Sequence, residues 1–130
     1  MKHMTDAPIK LLIVDDEPAL LNLASTYFQQ TGYDVKGILN PTDIPTTLQG
    51  WKPDLILLDI LMPNANGLEV LRGLKQDLTT ASIPVFIFSN LDSEDEIAEA
   101  LSTGAEGYLT KANYSLEDVG KKIQEILSQK

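Results

Sequence analysis

Three short apolar runs constrain this chain more than anything else in it. Leu11–Val14, Leu55–Leu58 and Val85–Phe88 carry no polar alternation, and each is followed within a residue by acids or hydroxyls. A strand with one wet face alternates with period two. A run without alternation needs apolar cover on both faces, which a parallel sheet between two layers of helices supplies. No run approaches the ~18–20 apolar residues that a membrane helix needs. Leu11–Val14 is also too short for the core of a signal peptide and runs straight into acids. Two weaker strands are expected at Asp34–Leu39 and Gly107–Leu109.

Helical patterns fill the intervals. Residues 18–30 place Leu20, Leu23, Ala24, Tyr27 and Phe28 on one stripe, and Gly32 stops the helix. Residues 67–77 carry Leu68, Leu71 and Leu74. Residues 93–103 open on Ser93 and Glu96, a capping-box spacing, and close at Gly104. Residues 115–128 present Leu116, Val119, Ile123, Ile126 and Leu127 behind a Ser115 cap, with Gly120 costing about 1 kcal/mol relative to Ala. Residues 43–50, flanked by Pro41 and Pro45, form the poorest helix, expected to be short and mobile. A strand–helix pair repeated five times predicts an α/β doubly wound parallel sheet. At 130 residues the chain suits one domain, assigned to 8–130. Residues 1–7 are left out: Met1-Lys2-His3-Met4 reads as an appended leader before a second start.

Charge and cysteine usage narrow the function. Ten basic residues against nineteen acidic give a formal charge of −9. Such a surface repels phosphate backbones and anionic lipid, so neither direct nucleic-acid binding nor membrane binding is expected. The absence of Cys excludes disulfides, thiolate metal sites and cysteine nucleophiles, and fits a cytoplasmic location.

In open α/β sheets, ligands bind beyond the carboxyl ends of the strands. Asp15, Asp16 and Glu17 follow the first strand, Asp59 the third, Ser89 and Asn90 the fourth, Thr110 and Lys111 the fifth. Clustered carboxylates repel one another unless a cation joins them, and oxygen-only ligands suit Mg²⁺. A lysine across the pocket supplies a charge for an anion, and a small hydroxyl supplies one hydrogen bond. Carboxylate, hard cation and lysine together make a site for receiving a phosphoryl group. Each residue alone has a plainer reading. Asp15 and Asp16 could cap the following helix, Ser89 and Lys111 could be loop residues, and Tyr108 a half-buried structural tyrosine. Met62 is expected to pack and shape its turn.

The segment Asp59-Ile60-Leu61-Met62-Pro63-Asn64-Ala65-Asn66-Gly67 resembles the response-regulator receiver domains of two-component signalling, the CheY-like family. Ile13-Val14-Asp15-Asp16-Glu17 is similar to the family's acidic pair after the first strand, Phe88-Ser89 to its switch hydroxyl, Tyr108 to its switch aromatic and Lys111 to its lysine. The likeness runs from about Ile9 to Leu127. It implies the family's flavodoxin-like (βα)5 fold, with strand order 2-1-3-4-5. It also implies residue roles. Asp59 is the phosphoacceptor. Asp16 and Asp59 bind Mg²⁺ with the backbone carbonyl of Leu61, and Asp15 acts mostly through water. Ser89, Lys111 and N–H groups near Leu61 and Asn90 hold the phosphoryl oxygens, and Tyr108 swings inward as Ser89 moves. The implied partners are a histidine kinase or histidine phosphotransfer protein and a downstream protein target. The domain is expected to act as a monomer and not as an enzyme, either alone or as a segment of a larger regulator or hybrid histidine kinase. Two positions depart from the pattern: Asn90 stands where Ala is frequent, and Ala112 where Pro is frequent. A trans peptide is expected between Lys111 and Ala112.

Three other readings compete. An aspartyl phosphohydrolase usually has a second acid two residues after its nucleophile, where this chain has Leu61. A flavodoxin-like carrier needs a phosphate loop where Asp15-Asp16-Glu17 stands. An inert receiver would not need the acids and lysine intact.

Overall fold

The computed structural model describes residues 7–62, 65–90 and 93–129. Met1–Met4, Pro63 and Asn64, on which parts of the sequence reading fall, lie outside them. Five strands make one parallel sheet: β1 (Lys10–Val14), β2 (Asp34–Ile38), β3 (Leu55–Leu58), β4 (Val85–Ser89) and β5 (Gly107–Thr110). Counting these five alone, the order is 2-1-3-4-5, the flavodoxin-like order that the family resemblance implies. Five helices connect them: α1 (Pro18–Gln30), α2 (Ile44–Thr47), α3 (Gly67–Gln76), α4 (Glu94–Thr103) and α5 (Leu116–Ser128).

The missing alternation is explained by two separate cores. Leu12, Val14, Ile56, Leu58, Val85 and Ile87 pack on one face with Ile44 of α2, Leu71 and Leu74 of α3, and Ala100 of α4. Leu11, Ile13, Leu55, Leu57, Phe86 and Phe88 pack on the other with Leu21, Ala24 and Phe28 of α1 and Val119, Ile123 and Ile126 of α5. Successive side chains still point to opposite faces, but both faces are dry. Burying each such Val, Leu, Ile or Phe contributes roughly 1.5–3 kcal/mol.

Two local expectations are corrected. The buried stripe of α1 runs through Leu21, Ala24 and Phe28, and Leu23 is 61% exposed. Gly37 makes room for Leu21, because a Cβ on Gly37 would stand 2.8 Å from Leu21 Cδ1. The helix expected over 43–50 is shorter. A 3₁₀ turn, Pro41–Asp43, capped by Asn40 leads into the four residues of α2, and Gly50 with φ +71° ends the segment. The other helix ends follow the sequence. Ser93 caps α4, Gly104 closes it at φ +127°, and Ser115 and Asp118 form a reciprocal capping box on α5.

Beyond β3, Leu61–Met62 pairs antiparallel with Ala65–Asn66 and carries the chain from Asp59 into α3. Met62 is buried in the core, as expected. No cis peptide occurs among the described residues, so Lys111–Ala112 is trans. No helix among them is long and apolar enough to cross a membrane.

Candidate functional site

The carboxyl ends of β1, β3, β4 and β5 bring Asp15, Asp59, Ser89 and Lys111 together. The ladder fixes Asp59 first: its N–H donates to Val14 O at 3.0 Å, locking β3 against β1 at the rim. Its Oδ1 accepts from Ser89 Oγ at 2.6 Å and from the N–H of Leu61 at 2.9 Å. Its Oδ2 accepts from Lys111 Nζ at 2.8 Å. Ser89 is fully buried, and Asp15 and Asp59 nearly so.

Lys111 is the hub. Its Nζ lies 2.8 Å from Asp15 Oδ2, 2.7 Å from Glu17 Oε1 and 2.8 Å from Asp59 Oδ2. Carboxylate oxygens of Asp15, Glu17 and Asp59 lie within 4.8 Å of one another. One ammonium therefore serves three acids. Burial pushes the Asp15 carboxyl above its ordinary value. Hydrogen bonds from Lys111 and from the N–H of Glu17 oppose that shift, and the charge of Asp59 adds to it. Burial works against the charge of Lys111, but its bonds to Asp15, Asp59 and Glu17 outweigh it and hold the ammonium above the usual lysine value. The two shifts are compatible because a single cation shared three ways neutralises each acid only in part.

Asp16, Glu17, Asp59, Leu61, Asn90 and Lys111 line a cavity of about 310 Å³. Asp16 reaches this cavity, but the tight carboxylate trio includes Glu17 in its place. Leu61 is exposed and lines the cavity. Tyr108 is half-buried, and its hydroxyl donates to Ser89 O at 3.3 Å. Asn90 Oδ1 accepts from Ala112 N at 3.1 Å, tying the loop after β4 to the loop after β5. Every buried side-chain N or O among the described residues has a partner.

The donor set fits a hard divalent cation: all oxygen, an excess of negative charge and an open side toward solvent. The sequence reading gave no role to Glu17 and no partner to Asn90. A signal for Glu17 existed. It is the N-cap of α1, where Ser, Thr, Asp or Asn is the usual choice, and its side chain makes no cap bond.

The response regulator receiver domain family matches residues 11–124. Protein PilH of Pseudomonas aeruginosa is 35% identical over 102 residues, covering 78% of this chain and 84% of PilH. The DNA-binding dual master transcriptional regulator RpaA of Synechocystis is 31% identical over 118 residues, covering 91% of this chain and 48% of RpaA. The chain spans about half the length of most of the curated relatives it matches. Among solved structures, the BeF3-activated N-terminal receiver domain of Klebsiella pneumoniae RstA superposes with a TM-score of 0.81 at 25% identity, covering 91% of this chain and 97% of that one. A CheY-like receiver domain protein from Methanospirillum hungatei reaches 0.85 at 24% identity, covering 95% and 96%, and shares the fold.

Proposed function

Because this chain belongs to the response-regulator receiver-domain family, we propose that Asp59 is its phosphoacceptor. The observation that carries the reading is the setting of the Asp59 carboxylate. It is buried at a strand end, with one oxygen fixed by Ser89 and Leu61 and the other turned to Lys111. An Asp59 oxygen attacks the phosphorus of a phosphohistidine on a histidine kinase or phosphotransfer protein. The O–P bond forms, the P–N bond breaks, and the electron pair returns to the imidazole nitrogen. Lys111 and Ser89 then supply donors to the phosphoryl oxygens. Asp15, Asp16, Asp59 and the carbonyl of Leu61 would hold Mg²⁺, which when bound neutralises charge on those oxygens. The phosphoryl group stays on the domain's own side chain, so the domain signals and does not turn over a substrate.

The readout runs through Ser89. When its hydroxyl leaves Asp59 Oδ1 for the phosphoryl group, the strand end moves, and Tyr108, bonded to Ser89 O, moves with it. The output is a contact with a protein target in the cytoplasm. With its −9 charge, this domain does not itself touch nucleic acid. A second reading, a receiver segment at residues 8–130 of a larger regulator or hybrid kinase, is favoured by the half-length coverage of its relatives.

Acetyl phosphate with Mg²⁺ should add one phosphate by intact mass. Chelation or Asp59→Asn should abolish the addition, and unchanged labelling of Asp59→Asn would refute the assignment.

A further inference from the structure

We propose that Glu17 is a positioning residue that holds the Lys111 ammonium at rest and surrenders it to the phosphoryl group. The proposal rests on Asp59 being the phosphoacceptor. An ammonium has three N–H donors and no acceptor. Lys111 donates to Glu17 at 2.7 Å and to Asp59 at 2.8 Å and pairs with Asp15 at 2.8 Å, so three acids share one ammonium. A phosphoryl oxygen that needs Lys111 must displace one of them. Phosphorylation removes the charge of Asp59, so that contact is released by the step itself. Of the two acids that still hold the ammonium, Asp15 has a side chain only 6% exposed and would be left as a buried charge without its partner. The Glu17 side chain is 59% exposed, and water can take its place.

A second observation points the same way. The backbone of Glu17 is fixed: its N–H donates to Asp15 Oδ1 at 2.9 Å, and its carbonyl accepts from Leu21 N at 2.9 Å. An N-cap side chain usually satisfies the helix's first N–H groups. That of Glu17 makes no such bond and turns to Lys111 instead. It is therefore anchored at its main chain and free to swing at its tip. Asp15 lacks that freedom, because its Oδ1 is already committed to the N–H of Glu17.

Beryllofluoride, a phosphoryl mimic, tests this at saturating Mg²⁺. Glu17→Gln should tighten its binding about 2–5-fold, the range expected when an exposed ion pair no longer competes. Glu17→Asp separates contact from charge, because it keeps the charge on a stem one methylene too short to reach Lys111. It should tighten binding as Gln does. Unchanged or weaker binding by Glu17→Gln overturns the proposal. So does a Glu17→Asp protein that binds like wild type while Glu17→Gln binds tighter, because net charge would then be the cause. A wild type that takes up no mimic removes the Asp59 reading itself, and this proposal with it.

Discussion

Replacing Lys111 with Met removes the one cation from a group of three carboxylates, and the cost follows from the geometry. Two unit charges 4.8 Å apart repel by about 3.5 kcal/mol at an effective dielectric of 20. Glu17 can turn into solvent, so the penalty falls on the buried pair, Asp15 and Asp59. Breaking a buried ion pair from one side typically costs about 3–5 kcal/mol, a large share of the roughly 5–15 kcal/mol that stabilises a domain. Urea unfolding at pH 7.5 without Mg²⁺ should therefore show a midpoint lowered by about 2 M, for a slope of roughly 1.5–2 kcal/mol per M. The pH dependence gives the sign. The Asp15 carboxyl already sits above its ordinary value, so the stability linked to it is fully present below that value and is lost as pH rises through the raised one. Without Lys111 the same proton relieves the repulsion, and the deficit should shrink as pH falls toward 4. Lys111 is itself held above the ordinary lysine value, so its contribution in wild type is complete below that value and is lost only as pH rises past it. Mg²⁺ should restore part of the loss by returning positive charge to the same oxygens. A penalty under about 1 kcal/mol, or one that grows on acidification, would refute Lys111 as the neutralising charge.

Gly67→Ala should destabilise the domain by about 3 kcal/mol or more, because a Cβ there would collide with the backbone of Ile60, next to Asp59. Equal urea midpoints for variant and wild type would contradict that close approach. Trp51 should report phosphorylation poorly. Its Nε1 donates to Asp34 and its ring lies under Lys36, toward the strand ends opposite Asp59. A large fluorescence quench with Mg²⁺ or beryllofluoride would count against this placement. The beryllofluoride complex should sediment as a monomer at micromolar concentration. The first turn of α4 carries Glu94, Asp95 and Glu96, and Glu99 is paired within its own chain to Arg72. A stable dimer through α4, β5 and α5 would disprove it.

The sheet was legible in the sequence because burial on both faces writes itself as unbroken apolar runs, and strand ends then locate Asp15, Asp59, Ser89 and Lys111 without reference to packing. What escaped was contingent on side-chain packing and contacts that a hydrophobic pattern does not carry. Leu23 and Leu21 look equivalent on α1 until Gly37, sixteen residues beyond Leu21, leaves a gap under one of them. The helix expected over 43–50 has turn residues at both ends, and nothing local shows that Thr47 Oγ1 would bond Asp43 O at 2.7 Å and that only one turn of α-helix would form. Glu17 stood among acids whose likeness to other chains drew attention to Asp15 and Asp16. Its contact with Lys111, 94 residues away, exists only once the first and fifth strand ends converge.

The two departures from the family pattern answer each other. Past β5, Lys111 N donates to Ser89 O at 2.9 Å, Ala112 N to Asn90 Oδ1 at 3.1 Å and Asn113 N to Thr110 O at 3.1 Å. Every N–H of the turn that presents the lysine thus has an acceptor. A proline at 112 would bring no N–H and need no such partner. An alanine at 90 would offer no acceptor. With Ala112 in place, Asn90 supplies an acceptor to its exposed N–H, and Lys111 reaches Asp59 at 2.8 Å along a trans path. Asn90 and Ala112 read singly as two unrelated departures. In the fold they form one exchange that leaves the position of Lys111 intact.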